Sequence, residues 1–241
     1  MDQLTSLLAR VWRLRGPLFR AAFVGILWLF SVPHGGGGGA VLFAFVTLIL
    51  YFLPFFRPAA LLPQFGALFA LSFFLSSSGI NAIFLAILSF LLFGIKNLDI
   101  IERDVAYEML VFLTLFLAAE NILRTVPHWG TLVGTLSALS YAILFWVFAR
   151  ALPWEDGVKR ERNKFLPVLL SFLAFELAMV LLFLPIEFIS AACILFLFSV
   201  FSCFFLERHA EGRSTAAYLL KTFGAFALAA GFILVLSSWK I

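Results

Sequence analysis

Glu176 is the ionisable residue whose position most favours chemistry inside a membrane. At about 1.5 Å per helical residue it lies roughly 16 Å from Phe165, where its apolar segment begins, near the middle of a hydrocarbon core about 30 Å thick. Ionisable groups at that depth are costly, so the default inference is a function. A carboxyl group in hydrocarbon favours its neutral form, which predicts a proton or cation relay. The alternative is a structural Glu that is hydrogen-bonded to a neighbouring helix.

A second group of polar residues belongs to the opposite ends of other apolar segments. Glu120 and Arg124 are spaced i, i+4, which allows an ion pair on one helix face, and Asn121 adjoins them. His128 and Glu187 belong to the same end of the molecule. These residues predict either a polar site that faces outward or a structural pair that closes this end. The candidate intramembrane polar site therefore comprises Glu176, Glu120, Asn121, Arg124, His128 and Glu187.

The sequence predicts no catalytic residue, no cofactor and no metal. The glycine run 35–39 lacks the Lys and Ser/Thr of a phosphate-binding loop, and a flexible link between helices is the better interpretation. His34 and His128 are expected to be solvated at a membrane edge. Cys193 and Cys203 lie in one apolar segment, which favours packing over a disulfide. A lipid-modifying enzyme would need a cluster of acidic residues at the cytoplasmic interface. The one group worth testing for this role is Asp99, Glu102, Asp104 and Glu108.

Composition predicts the environment of all these residues. Hydrophobic residues make up 63% of the 241 positions and charged residues 12%, whereas soluble domains have about 25% charged residues. The chain is therefore expected to be an integral protein of the cell membrane, with membrane lipids as partners. The net charge of +4 is not a sign of nucleic-acid binding, because most basic residues flank apolar segments.

Nine apolar segments predict an all-α, polytopic transmembrane helical bundle. They are 17–32, 38–56, 58–77, 80–95, 105–124, 129–150, 165–184, 186–206 and 216–237. Nine spans place all of the 17 Lys and Arg residues except Arg124 and Lys240 on one side, which predicts a cytoplasmic N-terminus and an outer C-terminus. The alternative is seven spans and a re-entrant pair formed by the third and fourth segments.

The remaining features predict the domain organisation. Residues 1–16 have apolar positions at helical spacing among arginines, which is typical of a basic amphipathic interfacial segment, and 17–241 form a single transmembrane helical domain. Five tryptophans lie towards helix ends, as interfacial anchors do: Trp12, Trp28, Trp129, Trp154 and Trp239. The connections are too short for a soluble domain, so any function is confined to the bundle, its two faces or a partner.

The stretch Gly94-Ile95-Lys96-Asn97 lies between two phenylalanine-rich segments, and the chain ends in Ser238-Trp239-Lys240 and Ile241. In these features it resembles an uncharacterised family of bacterial multi-pass membrane proteins. The resemblance implies the membrane fold and brings no activity, substrate or site residue with it.

Three classes of function stay open on the sequence. A small-solute or lipid transporter-like protein would surround a mid-depth cavity with Glu176 and other polar side chains. A structural or assembly subunit of a membrane complex would have a dry interior and an apolar face for a membrane-protein partner. An enzyme acting on lipid is less favoured, because the acidic residues above are better explained as a solvated connection.

Overall fold

The computed structural model describes residues 2–32, 36–53, 61–76, 78–96, 103–125, 131–151, 165–210 and 215–239. Over these residues the chain forms nine α-helices, which confirms the all-α prediction. They are α1 (Asp2–Ser31), α2 (Gly36–Phe52), α3 (Leu62–Phe74), α4 (Gly79–Lys96), α5 (Arg103–Thr125), α6 (Thr131–Ala151), α7 (Phe165–Phe183), α8 (Phe188–Ala210) and α9 (Ala216–Leu236).

Six of these helices, α4 to α9, are long and apolar enough to cross a membrane. The chain is therefore a multi-pass membrane protein by the length and hydropathy of its helices. The helix α3 has 13 residues and is about 20 Å long, which is shorter than a hydrocarbon core of about 30 Å. The choice between nine spans and seven with a re-entrant pair stays a prediction, as does the orientation of the N-terminus.

The chain divides into two compact units, unit 1 (Met1–Thr114) and unit 2 (Leu115–Ile241). In unit 1, α1 packs closely against α4 at Gly25. A Cβ atom at this position would lie 2.8 Å from the Ala82 carbonyl oxygen and 2.9 Å from the Ala86 Cβ. Because both distances are shorter than a van der Waals contact, the two helices can approach this closely only with glycine at position 25.

Pro17 lies inside α1, which continues without interruption from Asp2 to Ser31. The predicted first span begins at this proline, a position that suits proline because in a helix interior it removes one backbone hydrogen bond. The helix extends beyond that position in the N-terminal direction. The division into an interfacial segment, 1–16, and a transmembrane domain, 17–241, stays a prediction.

In unit 2, small residues line the packed faces of α6 and α7. Gly134 and Ala138 of α6 are buried, as are Ala174 and Ala178 of α7. Both pairs have the small-xxx-small spacing that lets helix backbones approach closely. The helix α9 lies at the edge of this unit, against α8, and the residues buried along it are Thr222 and Ala230.

Of the five tryptophans that the sequence predicts as interfacial anchors, the side chains of Trp28 and Trp239 are described, and they differ in exposure. The side chain of Trp12, and both Trp129 and Trp154, lie outside the described part of the chain. Trp28 is fully buried in unit 1, and its Nε1 donates a hydrogen bond of 2.6 Å to the Ser72 carbonyl oxygen, so that prediction is wrong. That carbonyl is available because α3 ends at Phe74, and the last four carbonyls of a helix have no partner within it. Trp239 is 49% exposed and lies just beyond the end of α9.

Candidate functional site

Glu176 lies on the exposed side of α7, in the helix interior. The exposed residues of α7 form one stripe, which we call the α7 face: Phe165, Val168, Leu169, Phe172, Leu173, Glu176, Val180 and Phe183. Apart from Glu176 every member of this face is apolar. No hydrogen bond or ion pair joins Glu176 to another residue in the part of the chain that the structure describes. The carboxyl group is therefore directed away from the packed side of its own helix.

The polar group at the end of α5 is partly assembled in unit 2. Arg124 Nη1 lies 3.4 Å from Glu120 Oε1, which is the ion pair that their spacing allows, and the side chains are 47% and 17% exposed. The Arg124 guanidinium also lies 5.7 Å from the centroid of the Phe188 ring, at the start of α8. Glu187 precedes Phe188 in the chain, so this acid belongs to the same end. Asn121 is buried beside the pair.

The distance between Arg124 Nη1 and Glu120 Oε1 distinguishes a structural ion pair from a clamp for a substrate. Charge-assisted hydrogen bonds between guanidinium and carboxylate groups are typically about 2.7–2.9 Å long, and the pair at 3.4 Å is longer. An exposed pair of this kind contributes little stability. His128 and His34 lie outside the described residues. The geometry of Glu120 and Arg124 therefore favours a structural contact with α8 over a tight clamp for a substrate.

Unit 1 contains a small, partly open cavity that the sequence did not indicate. It is lined by Val24, Phe43, Thr47, Phe65, Leu68, Phe69, Ser72, Leu85, Ser89, Leu92 and Phe93. It has about 10 Å³ of space for the centre of a water molecule, which is room for about one water. Thr47 Oγ1 is buried in the cavity wall and has no hydrogen-bond partner among the described residues. The cavity is too small to be a path for a solute.

Aromatic rings account for the tight packing around this cavity. The ring centroids of Tyr51 and Phe65 are 3.9 Å apart, and those of Phe65 and Phe69 are 5.7 Å apart. The rings of Phe69 and Phe73 continue the series at 5.1 Å in an edge-to-face arrangement. Since Phe65, Phe69 and Phe73 are spaced i, i+4, i+8, one side of α3 is a continuous aromatic column.

Other polar side chains form hydrogen bonds within their own unit. Gln64 Nε2 donates a hydrogen bond to the Tyr107 hydroxyl in unit 1, and the hydroxyls of Tyr141 and Ser199 lie 2.8 Å apart in unit 2. Asn81 Nδ2 donates to the Ser76 carbonyl oxygen at 2.9 Å. None of these residues belongs to the site predicted from the sequence. The sequence feature that could have identified them is a neutral polar residue within an apolar segment. This feature is a weaker indication of a site than a charged residue in the same position.

The described residues contain no group of three or more His, Cys, Asp or Glu side chains able to hold a metal ion. The chain matches no protein-family model, no curated protein and no solved structure. The resemblance to a bacterial membrane-protein family therefore stays a prediction. Fold and hydropathy define an all-α multi-pass membrane protein, and Glu176 is the one charged residue of the α7 face.

Proposed function

We propose that this chain is the subunit of a homo-oligomeric membrane assembly in which a second copy covers the α7 face. The observation that supports this proposal is the exposure of Glu176 in an otherwise apolar stripe of a candidate membrane span. Of the classes of function that the sequence leaves open, this is the structural or assembly subunit.

The proposal follows from what each possible neighbour offers the Glu176 carboxyl group. Lipid tails offer no hydrogen bond, and an acidic side chain at the bilayer centre costs about 2.5–3.5 kcal/mol on insertion scales. A second helix with a polar group at the same depth returns about 0.6–2 kcal/mol through an interhelical hydrogen bond. Contact with a helix is therefore favoured over contact with lipid.

A second copy of the chain supplies a polar group at the required depth, namely its own Glu176. A carboxylic acid that keeps its proton has one donor and remaining acceptor capacity, so two such groups complement each other. Copies inserted with the same orientation and related by a two-fold axis along the membrane normal have Glu176 at equal depth. Such an interface is isologous, as in most soluble dimers. The face has no basic residue that would favour an acidic partner.

The transporter-like alternative has less support. It requires mid-depth polar residues around a hydrated cavity, whereas Glu176 is on an exposed face and the cavity of unit 1 has room for about one water. Relay of protons by Glu176 across an interface between two copies remains compatible with the proposal. Replacement by Gln, which cannot relay a proton, separates assembly from such a relay.

Cross-linking of single cysteines in lipid vesicles tests which face meets a second copy. Both native cysteines are first replaced, Cys193→Ser and Cys203→Ala. Val180→Cys, which is 56% exposed on the α7 face, is expected to yield a disulfide-linked dimer under mild oxidation. Leu228→Cys, which is 78% exposed on α9, is the matched control and is expected to stay monomeric. Equal cross-linking at the two positions would contradict the proposal.

Substitutions of Glu176 test whether the carboxyl group drives association. Glu176→Leu is expected to raise the dimer dissociation constant about 5- to 30-fold, which corresponds to the loss of about 1–2 kcal/mol. Glu176→Gln keeps a donor and an acceptor and is expected to retain the dimer. Energy transfer between labelled copies in vesicles measures both constants. A wild-type protein that stays monomeric over the whole concentration range would overturn the proposal.

A further inference from the structure

The C-terminal end of α2 is contacted by two cationic side chains from other helices. Lys96, the last residue of α4, donates a hydrogen bond from Nζ to the Tyr51 carbonyl oxygen, and Nζ lies 4.3 Å from the centroid of the Tyr51 ring. Arg20 of α1 donates from Nη1 to the Leu53 carbonyl oxygen at 2.9 Å. All four residues belong to unit 1. Three helices therefore meet at one basic site, which we call the α2 terminus site.

The Lys96 side chain is an integral part of this unit, because it is only 3% exposed. A buried charge is costly unless it is paired. Its ammonium group has three donors, of which the Tyr51 carbonyl takes one, and the Tyr51 ring supplies a cation–π contact. Arg20 has five donors and one bond to Leu53. Both cations therefore have donors left for a further acceptor.

Charge balance indicates the chemistry of that acceptor. The C-terminus of a helix carries about −0.5 of an elementary charge, which offsets only part of two unit positive charges. The one ion pair within the described residues, Glu120 with Arg124, belongs to unit 2, so no described carboxylate neutralises Arg20 or Lys96. Among the described residues the α2 terminus site therefore has two cationic side chains against the partial negative charge of one helix end, and an anion with several acceptor oxygens suits such a site.

We propose that Arg20 and Lys96 bind a phosphate group at the α2 terminus site. The headgroup of an anionic lipid and free phosphate share this chemistry. The surroundings favour the lipid, because Leu18, Phe19 and Leu53 beside the site are 59%, 75% and 52% exposed and offer an apolar surface to acyl chains. In the predicted topology this end of unit 1 is cytoplasmic, where anionic lipids attract basic residues.

Native mass spectrometry of the purified full-length protein in neutral detergent tests the proposal with three probes. Phosphatidylglycerol is expected to bind more tightly than phosphatidylcholine. Inorganic phosphate distinguishes the two sources: its failure to displace phosphatidylglycerol assigns the site to lipid, and displacement assigns it to the phosphate group itself. Both results support phosphate binding. Equal retention of the two lipids, with no phosphate bound, would overturn the proposal.

Matched variants locate the binding. Arg20→Gln is expected to weaken phosphatidylglycerol binding about five- to tenfold, at about 1 kcal/mol or slightly more for one cation near a membrane surface. Lys96→Met is expected to act in the same direction. If this buried substitution prevents folding, Arg20→Gln carries the test, since Arg20 is only partly buried. Lys221→Gln, on the exposed surface of α9, is the control and is expected to bind as wild type. An equal loss of phosphatidylglycerol binding in the control would mean that general surface charge, and not the α2 terminus site, binds the lipid. That result would contradict the proposal.

Discussion

In the interior of unit 1, Trp28, Gln64 and Asn81 each donate a hydrogen bond to another residue of the same unit. On the α7 face of unit 2, Glu176 is exposed and has no described partner. Both regions lie in apolar helices, and both contain polar groups that lipid cannot satisfy. They differ in where the partner comes from. These three side chains of unit 1 find their partners within the unit, although Thr47 Oγ1 has none among the described residues, whereas Glu176 would find its partner on a second copy under the proposed function.

This difference separates two effects of mutation. Removing an interior polar group leaves a buried carbonyl or hydroxyl without its partner, so the cost appears in the free energy of unfolding. Removing Glu176 leaves no described group unpaired, so under the proposed function its cost is expected in association with a second copy rather than in unfolding. The following substitutions test this separation, beginning with the largest expected effect.

Trp28→Ala is expected to lower the free energy of unfolding by about 3–5 kcal/mol, because it removes a fully buried ring and opens a cavity. It also deprives the Ser72 carbonyl of its donor. Reversible unfolding in mixed detergent micelles measures the change. Trp239→Ala is the control, since that ring is 49% exposed, and it is expected to change stability by less than about 0.5 kcal/mol. Similar losses for both tryptophans would remove the distinction between interior and surface.

Asn81→Leu is expected to lower the free energy of unfolding by about 1–2 kcal/mol. The Asn81 amide donates to the Ser76 carbonyl oxygen at 2.9 Å and to Ser76 Oγ at 3.0 Å, which ties α4 to the segment after α3. The same unfolding measurement applies. Ile83→Leu, on the exposed face of α4, serves as control. A stabilised Asn81→Leu variant would mean that these bonds do not hold the two segments together.

Glu176→Leu is expected to change the free energy of unfolding of the monomer by less than about 0.5 kcal/mol, as for other surface substitutions. The measurement is made in detergent at a dilution where association is absent. The same variant should weaken the dimer in vesicles. A loss of more than about 1 kcal/mol in the monomer would mean that the carboxyl group is bonded within the chain, and the comparison with unit 1 would fail.

The approximate positions of the helices could be predicted from the sequence, because a helix in hydrocarbon needs a continuous apolar segment, although α3 is shorter and α1 longer than predicted. Each of the nine apolar segments corresponds to a helix in the described residues. The i, i+4 spacing of Glu120 and Arg124 likewise predicted their ion pair, since one helix holds both side chains. Contacts that need only local geometry were therefore within reach of the sequence.

Contacts between segments that are distant in the sequence could not be predicted. Lys96 was counted only as a topological charge, and its bond to the Tyr51 carbonyl depends on how α4 meets the end of α2. Trp28 was predicted to lie at an interface because it is near a helix end. It is buried instead, where its indole nitrogen donates to a carbonyl oxygen at the end of α3 that has no partner within that helix. Neither partner is adjacent in sequence, and neither is a side chain whose type marks it as an acceptor.

Glu176 shows most clearly what could be predicted from the sequence and what could not. Its depth follows from counting residues along one helix, at about 1.5 Å each. The direction in which its side chain points does not follow from the sequence. In a membrane the lipid-facing side of a helix is as apolar as the packed side, so the periodicity of apolar residues does not mark the interior. The sequence by itself determined an all-α membrane protein and the depth of its acid. Only the packing of Ala174 and Ala178 into unit 2 decided that the acid faces outward.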